Sequence, residues 1–578
     1  MAGAEAGSIR RQAHRLLFGN PVYGLTLGRT QPTHLRLVPP DPWPGSAERG
    51  QELLAGVYHF AGETVQTARP NWTPLGAGED YLAGLHGFSW LRDLRALGGD
   101  TARRHARLLV DDWLDACSAW HPVIWRPDVI GRRLASWATG HDFFCASADD
   151  DARRAIFASM ARQLRHLART APGQLRGLPA WSAVYGLALG AVCLPGGDRL
   201  WPRAGKLVDH VLSRQIRPDG GVADRNPMTM AAILRDLIDL RATLNAAASG
   251  LTIAGVDGVR TTVQDMIDRL ALGLRTLRHG DGRLALFHGA QEGDRVLLDT
   301  ILSHAGSRVR VARSSTIGGY RRLGMGRVVI LMDTETVPPP GDDRDAHAAP
   351  LAIEMSVGRE RMVVNCGAWD GRGGKSGPVW HTALRGTAAH STLVVDGANC
   401  VPVLDGGGLG PATGGVAAEA VDPPEGLLAE AAHSHYKARF GVTHHRRIWV
   451  AESGEDVRGE DTLQHEGPHT RPEGAEPLAF TVRFHLHPDV RVAASQDGES
   501  MLLRLSGGQG WRFHAAGGSL ALEDSVYIPA PDSVRKSNQI VVSGTLDEPA
   551  AAATAGATNE AAAAPAALVR WAFKRERR

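Results

Sequence analysis

The spacing of apolar residues changes once along this chain, and that change limits the possible architecture more than any bulk property. From residue 80 to 280 apolar residues recur every three or four positions, as in EDYLAGLHGFSWLRDLRALG, TARRHARLLVDDWLDACSAW and MAAILRDLIDLRATLNAAASG. Each segment sets an apolar stripe against Arg and Asp, the pattern of a helix that buries one face. After residue 310 the period becomes two, in RVVILMD, LAIEMSV, RMVVNCG, STLVVDG, RRIWVAE, TVRFHLH and NQIVVSG. Short alternating runs closed by Gly, Asp or Asn are strands, and many of them without intervening helices pack as a β-sandwich.

The chain is therefore predicted to be multidomain α + β, an array of antiparallel helices followed by an antiparallel β-sandwich. The expected divisions are an N-terminal extension over 1–79, the helical domain over 80–310 and the sandwich over 311–578. A low-complexity insertion, 546–566, interrupts the last part, because ALVRWAFKR after it reads as one more strand.

Charge excludes more than it suggests. Lys plus Arg number 64 and Asp plus Glu 62, a net +2, which gives no reason to expect a nucleic acid partner. The five cysteines are scattered without a CxxC pair, against a disulfide framework or a cysteine zinc site. The uncharged stretch AWSAVYGLALGAVCL is too short for a transmembrane segment. The N-terminus, MAGAEAGSIRRQAHRLLFGNP, lacks the apolar region and cleavage site of a secretory signal. No P-loop, strand-linked GxGxxG, HExxH or GxSxG is present, so no nucleotide cofactor is expected.

Several stretches gather groups capable of chemistry. In LRGTAAHSTLVVDG, His390 stands just before a strand, and Arg385 lies in the same segment. In DRNPMTMAAIL, Asn226 fits a helix N-cap with Pro227 at the first helical position, which leaves Arg225 at the loop tip. WRPDVIGRRLASW combines Trp125 with Arg126, Arg132 and Arg133; an indole face can stack on a sugar, and one of the last two arginines is expected to meet Asp128 or Asp142. AEAAHSHYKARFGVTHHRR supplies His433, His435 and Tyr436, and RFHLHPDV places His485 and His487 on one strand face. Each histidine is equally well explained as a buried or edge residue that hydrogen-bonds the backbone.

Taken in order over residues 80 to 540, LHGFSWLRDL, WRPDVIGRRLASW, PDGG…RNP, EMSVGRERMVVNCG, LRGTAAHSTLVVDG and HSHYKARFGVTHHRR resemble the heparinase II/III-like polysaccharide lyases. The part from residue 315 is the more specific. The resemblance implies a toroid packed against a sandwich, with a cleft between them that takes an acidic, uronate-containing polysaccharide. It implies β-elimination, in which a carboxylate is neutralised, an adjacent proton is removed and the leaving oxygen is protonated. It also implies a structural zinc ion, for which His390, His433 and Asp405 are the candidate ligands.

On that basis His390, Tyr436 and Asn226 are the catalytic candidates, His390 being either ligand or proton carrier. Arg225, Trp125 and Arg385 are the substrate-binding candidates. The toroid half departs from the pattern: Thr229 and Met230 fill the family's tyrosine and histidine places, and Leu178-Pro179 replaces an upstream Asn-His pair. The expected function is a polysaccharide lyase acting by β-elimination on an acidic polysaccharide, and the alternative is a catalytically silent glycan-binding or envelope-polysaccharide accessory protein on the same scaffold. The resemblance implies the cell envelope or periplasm, and the absence of a visible signal leaves the cytoplasm open.

Overall fold

The computed structural model describes residues 12–28, 32–307, 309–369, 377–419, 423, 425–466, 476–530, 533–547 and 565–576. The low-complexity segment predicted over 546–566 lies outside these residues except at its two ends.

Helices dominate up to Arg295–Ala305, and strands follow from Ser314–Ile317 onward. Three inner helices, Pro127–Thr139, Gly177–Cys193 and Pro227–Ala248, are buried on nearly every side. The helices Gly99–Cys117, Asp150–Thr170, Trp201–Gln215 and Val256–Thr276 pack outside them and keep a polar face to solvent. This inner-and-outer arrangement of helices is the (α/α) toroid. Two inner helices touch through glycine: a Cβ on Gly131 would stand 2.1 Å from Ser182 O, and one on Gly186 would stand 2.2 Å from Gly131 Cα. Only glycine allows backbones that close.

The segment before residue 80 is not a loose appendage. It carries helices Pro21–Leu27 and Ala47–Leu54 and a hairpin of Val57–Phe60 with Glu63–Gln66. Trp43, Leu53, Tyr58 and Trp72 enter the same core as the toroid helices.

The strands form an eight-stranded and a nine-stranded sheet, and the paired strands run antiparallel. Between the sheets, Phe484 of one meets Phe513, Trp571 and Phe573 of the other, with ring centroids 5.2, 4.9 and 5.7 Å apart. The other face of the nine-stranded sheet receives the toroid. His279 pairs with Glu354 at 2.8 Å, Arg361 with Asp281 at 2.8 Å, and Tyr527 donates to Glu292 at 2.5 Å. Buried charges persist only where partnered, and these pairs fix the seam in one register. Among the described residues no helix is long and apolar enough to cross a membrane.

Candidate functional site

A cleft of about 480 Å³ opens where the N-termini of two inner helices face loops of the nine-stranded sheet. Leu178 begins one helix, and Asn226, Met228, Thr229 and Ala232 begin the other. The opposite wall includes Gly289, Gln291, Asp345, His347, Trp369 and His381, with Arg344 beside them paired to Asp80 at 2.6 Å. The positions that the lyase resemblance singled out in the toroid, Leu178 and Thr229, thus do face the cleft. Neither supplies an effective proton carrier. Met230 points away, buried against Gly273.

Asn226 serves as cap and cleft residue at once. Its Oδ1 accepts from Met228 N at 2.8 Å, which leaves the amide nitrogen on the cleft side as a donor. Behind it, half-buried Asp224 accepts from Asn226 N at 3.1 Å and hydrogen-bonds Thr229. Burial pushes the Asp224 carboxyl up to about 7.

Arg225 is not available to a substrate carboxylate, contrary to expectation. Nε donates to Gly318 O at 3.1 Å, and Nη1 donates to Glu335 O and Thr336 O at 3.2 and 2.9 Å. Nη2 donates to Gly319 O at 3.1 Å and Asp333 Oδ1 at 2.5 Å. All five N–H groups of the guanidinium are thereby committed. The turn that carries it has Arg225 at φ 57°, and Tyr320 lies under the guanidinium 4.7 Å away.

His390 begins its strand inside a buried histidine chain that explains its place. Gly289 N donates to His347 Nε2 at 2.8 Å, so the neutral His347 carries its proton on Nδ1. That nitrogen lies 2.7 Å from His390 Nε2, which must accept, and His390 Nδ1 then donates to Gly386 O at 2.8 Å. His288 accepts from His347 N at 3.1 Å and faces Asp333 through Nε2 at 3.0 Å. Burial pushes His390 down to about 3 and His347 well below its ordinary range. His347, not His390, is the member that reaches the cleft wall.

The remaining expectations separate. Tyr436 is buried between the sheets, donating to Leu393 O and Ala398 O at 3.4 and 3.3 Å, and so cannot reach a substrate in the cleft. Arg385 lies at the cleft but points its guanidinium at the carbonyls of Ala346, Leu404 and Gly408, holding two loops together. Trp125 is buried in the toroid beside His166 and donates to Cys117 O at 3.3 Å, so no sugar can stack on it. Neither expected arginine pairing holds. Asp128 meets Arg126 at 2.7 Å, Arg132 meets Asp236 at 2.7 Å, and Arg133 is buried against Gln163.

The proposed zinc ligands do not converge. His390 has both ring nitrogens engaged within the histidine chain, and Asp405 is exposed in its glycine-rich loop. His433 instead faces His444 at 3.3 Å, and His444 meets Asp461 at 2.7 Å beside Arg446. Among the described residues no group of three or more His, Cys, Asp or Glu is arranged to hold a metal ion. The residues present do not fit the ion that the resemblance implies.

Sequence reading missed His347, Asp345 and His381. His381 Nε2 bonds Asp345 Oδ1 at 3.1 Å on the cleft wall, and Trp369 stacks on Trp380 with centroids 6.2 Å apart. The stretch DDRDAHAAP has no period that would flag it, although the tryptophans flanking a glycine-rich run were a legible aromatic signal.

Comparison with known proteins agrees with this geometry. Residues 309–571 match the family described as heparinase II/III-like, C-terminal. The strand half is similar to that family. The heparinase-like fold extends over the whole chain. A crystal structure of heparinase III superposes with a TM-score of 0.69 at 12% identity, covering 99% of this chain and 90% of that one. The heparan sulfate lyase HepC from Pedobacter heparinus, as a mutant, gives 0.62 at 13% identity over 100% and 91%. In sequence, FtsZ-localized protein C of Caulobacter vibrioides is 28% identical over 538 residues, 88% of this chain and 86% of the relative.

Proposed function

We propose that this protein binds a polysaccharide in the cleft between toroid and sandwich and does not cleave it. The observation that carries this reading is the chemistry of the cleft wall. Leu178 and Thr229 stand at the lyase positions, while Arg225, Tyr436 and His390 are all sealed into the structure. Elimination needs a cation or donor set on the substrate carboxylate and a proton carrier beside it. Trp369, Gln291, Asn226 and His381 are groups suited to holding a sugar. The name of the relative FtsZ-localized protein C supports localisation of this chain with FtsZ.

A second reading, lyase action on a uronate polysaccharide, draws on one observation: His381 and Asp345 form a hydrogen-bonded pair on the cleft wall. One experiment separates the two. The full chain is incubated with heparan sulfate, hyaluronan and polygalacturonate while the absorbance of unsaturated product is followed, and binding is measured in parallel by calorimetry. Binding without product, with the cleft component of binding lost in Ala232→Trp, is the expected result. Product formation lost in His381→Ala would establish the lyase instead.

A further inference from the structure

The outer face of the eight-stranded sheet carries a second, separate hollow of about 760 Å³. Strand alternation sends Arg447 and Trp449 outward from Val442–Ala451, and Asp456, Arg458 and Glu460 outward from Asp456–His465. Ala567–Arg575 adds Arg570, Ala572 and Lys574, and Gly510–Ala516 adds His514 and Ala516. The register aligns Trp449, Arg458, Ala572 and His514 in one row across four strands. Small side chains at Ala572 and Ala516 leave the floor low, and Trp449 rises at one side with Arg458 at 5.3 Å from its ring.

The charges around the hollow are unequal. Among the described residues, Arg447, Arg458, Arg570 and Lys574 line it, against Glu460 as the one lining carboxylate. Their ion pairs are solvent-facing: Arg447 with Glu430 at 3.1 Å, Arg570 with Glu460 at 3.0 Å, and Arg458 with Asp456 at 2.7 Å. Asp456 is also the partner of Lys574, at 3.9 Å, so one carboxylate serves two cations. The cation side chains keep 52–70% of their surface exposed. Exposed pairs of this kind contribute little to stability, so an incoming anion can replace their partners.

We infer that this hollow is a binding surface for an anionic sugar chain, with a pyranose ring against Trp449 and its carboxylate or sulfate groups on Arg447, Arg458, Arg570 and Lys574. Arginine offers carboxylate and sulfate a planar fork of donors, which suits a ligand with charges at repeating intervals. Two rivals fit less well. The hollow lies mid-sheet, where strand backbones are already paired on both sides, so an acidic peptide cannot add as a strand. A single indole also falls short of the successive aromatic platforms on which single-stranded nucleic acid stacks.

The test is calorimetry on the full chain with a heparin oligosaccharide and an oligogalacturonate at low salt. Four proteins are compared: wild type, the cleft-blocked Ala232→Trp and, made in that cleft-blocked chain, the surface variants Trp449→Ala and Arg458→Ser/Lys574→Ser. Ala232→Trp should retain binding at the hollow, with affinity falling as salt rises, and both surface variants should bind about tenfold or more weakly than that cleft-blocked chain. Binding of the sulfated ligand alone, or the carboxylated one alone, identifies the anion and upholds the site. The inference is overturned if the surface variants bind as the cleft-blocked chain does or if Ala232→Trp abolishes all binding. It is equally overturned if a neutral maltooligosaccharide, polyglutamate or single-stranded DNA binds as tightly.

Discussion

Arg225 of the toroid and Asp333 of the nine-stranded sheet form an ion pair in which each side chain keeps 2% of its surface exposed. Burial alone would raise the Asp333 carboxyl, but Arg225 and then His288 more than offset it and hold it below the ordinary range. Removing one partner strands a buried charge, so Arg225→Leu should destabilise the chain by about 3–5 kcal/mol. Guanidinium unfolding followed by tryptophan fluorescence measures this. Arg225→Lys should recover only part of the loss, because three donors cannot replace five. Unchanged unfolding in Arg225→Leu would refute the structural role.

Stability should fall as the solution is acidified from about pH 6.5, the ordinary histidine value. Burial lowers His390 and His86 to about 3, and His166 and His485 to about 4. These rings stay neutral in the fold while the unfolded chain takes up protons, so the stability present above pH 6.5 drains away down to those lowered values. Denaturation midpoints at intervals between pH 7.5 and pH 5, read as rough settings of the linkage relation, should decline steadily. A flat profile would contradict the neutral histidine chain.

Asp224 has the opposite sign. Its carboxyl is raised to about 7, so ionisation works against the fold as pH climbs from the ordinary carboxylate range to that value. Asp224→Asn keeps an oxygen for Asn226 N and cannot ionise. The variant should match wild type near pH 4 and exceed its melting temperature near pH 8, both rough settings from the ordinary range of a carboxyl. A variant less stable than wild type at both values would show that the carboxylate itself is needed.

Restoring the family histidine should fail. Met230 is 1% exposed, and its Sδ lies 3.1 Å from the position a Gly273 Cβ would occupy. Met230→His places an imidazole among apolar neighbours and should cost about 1–3 kcal/mol for an unsatisfied polar group. No product absorbance should appear with any uronate polysaccharide. Elimination by this variant would reopen the catalytic reading.

Periodicity made the helices and strands legible because it records which face each element buries, and the cap at Asn226-Pro227 was readable from two residues. The site was less so. An arginine at a loop tip gives the same sequence signal whether its donors meet a ligand or, as with Arg225, five acceptors across a seam. Tyr436 and Trp125 were placed by motif, yet depth in a core is set by partners distant in the chain. His390 was conspicuous but sealed, while His347, which reaches the cleft, sits in a stretch with no pattern.

The turn bearing Arg225 has a consequence for how any polymer enters. Asp219 of the same turn accepts from Gly318 N at 2.8 Å, and a Cβ on Gly221 would strike Gly318 Cα at 2.4 Å. Toroid and sheet are thus welded backbone to backbone at the cleft floor. They cannot part like the jaws of a clamp without breaking a buried ion pair. A long chain must therefore be laid in from the open side or drawn through lengthwise, and the groove acts as a fixed guide rather than a hinge.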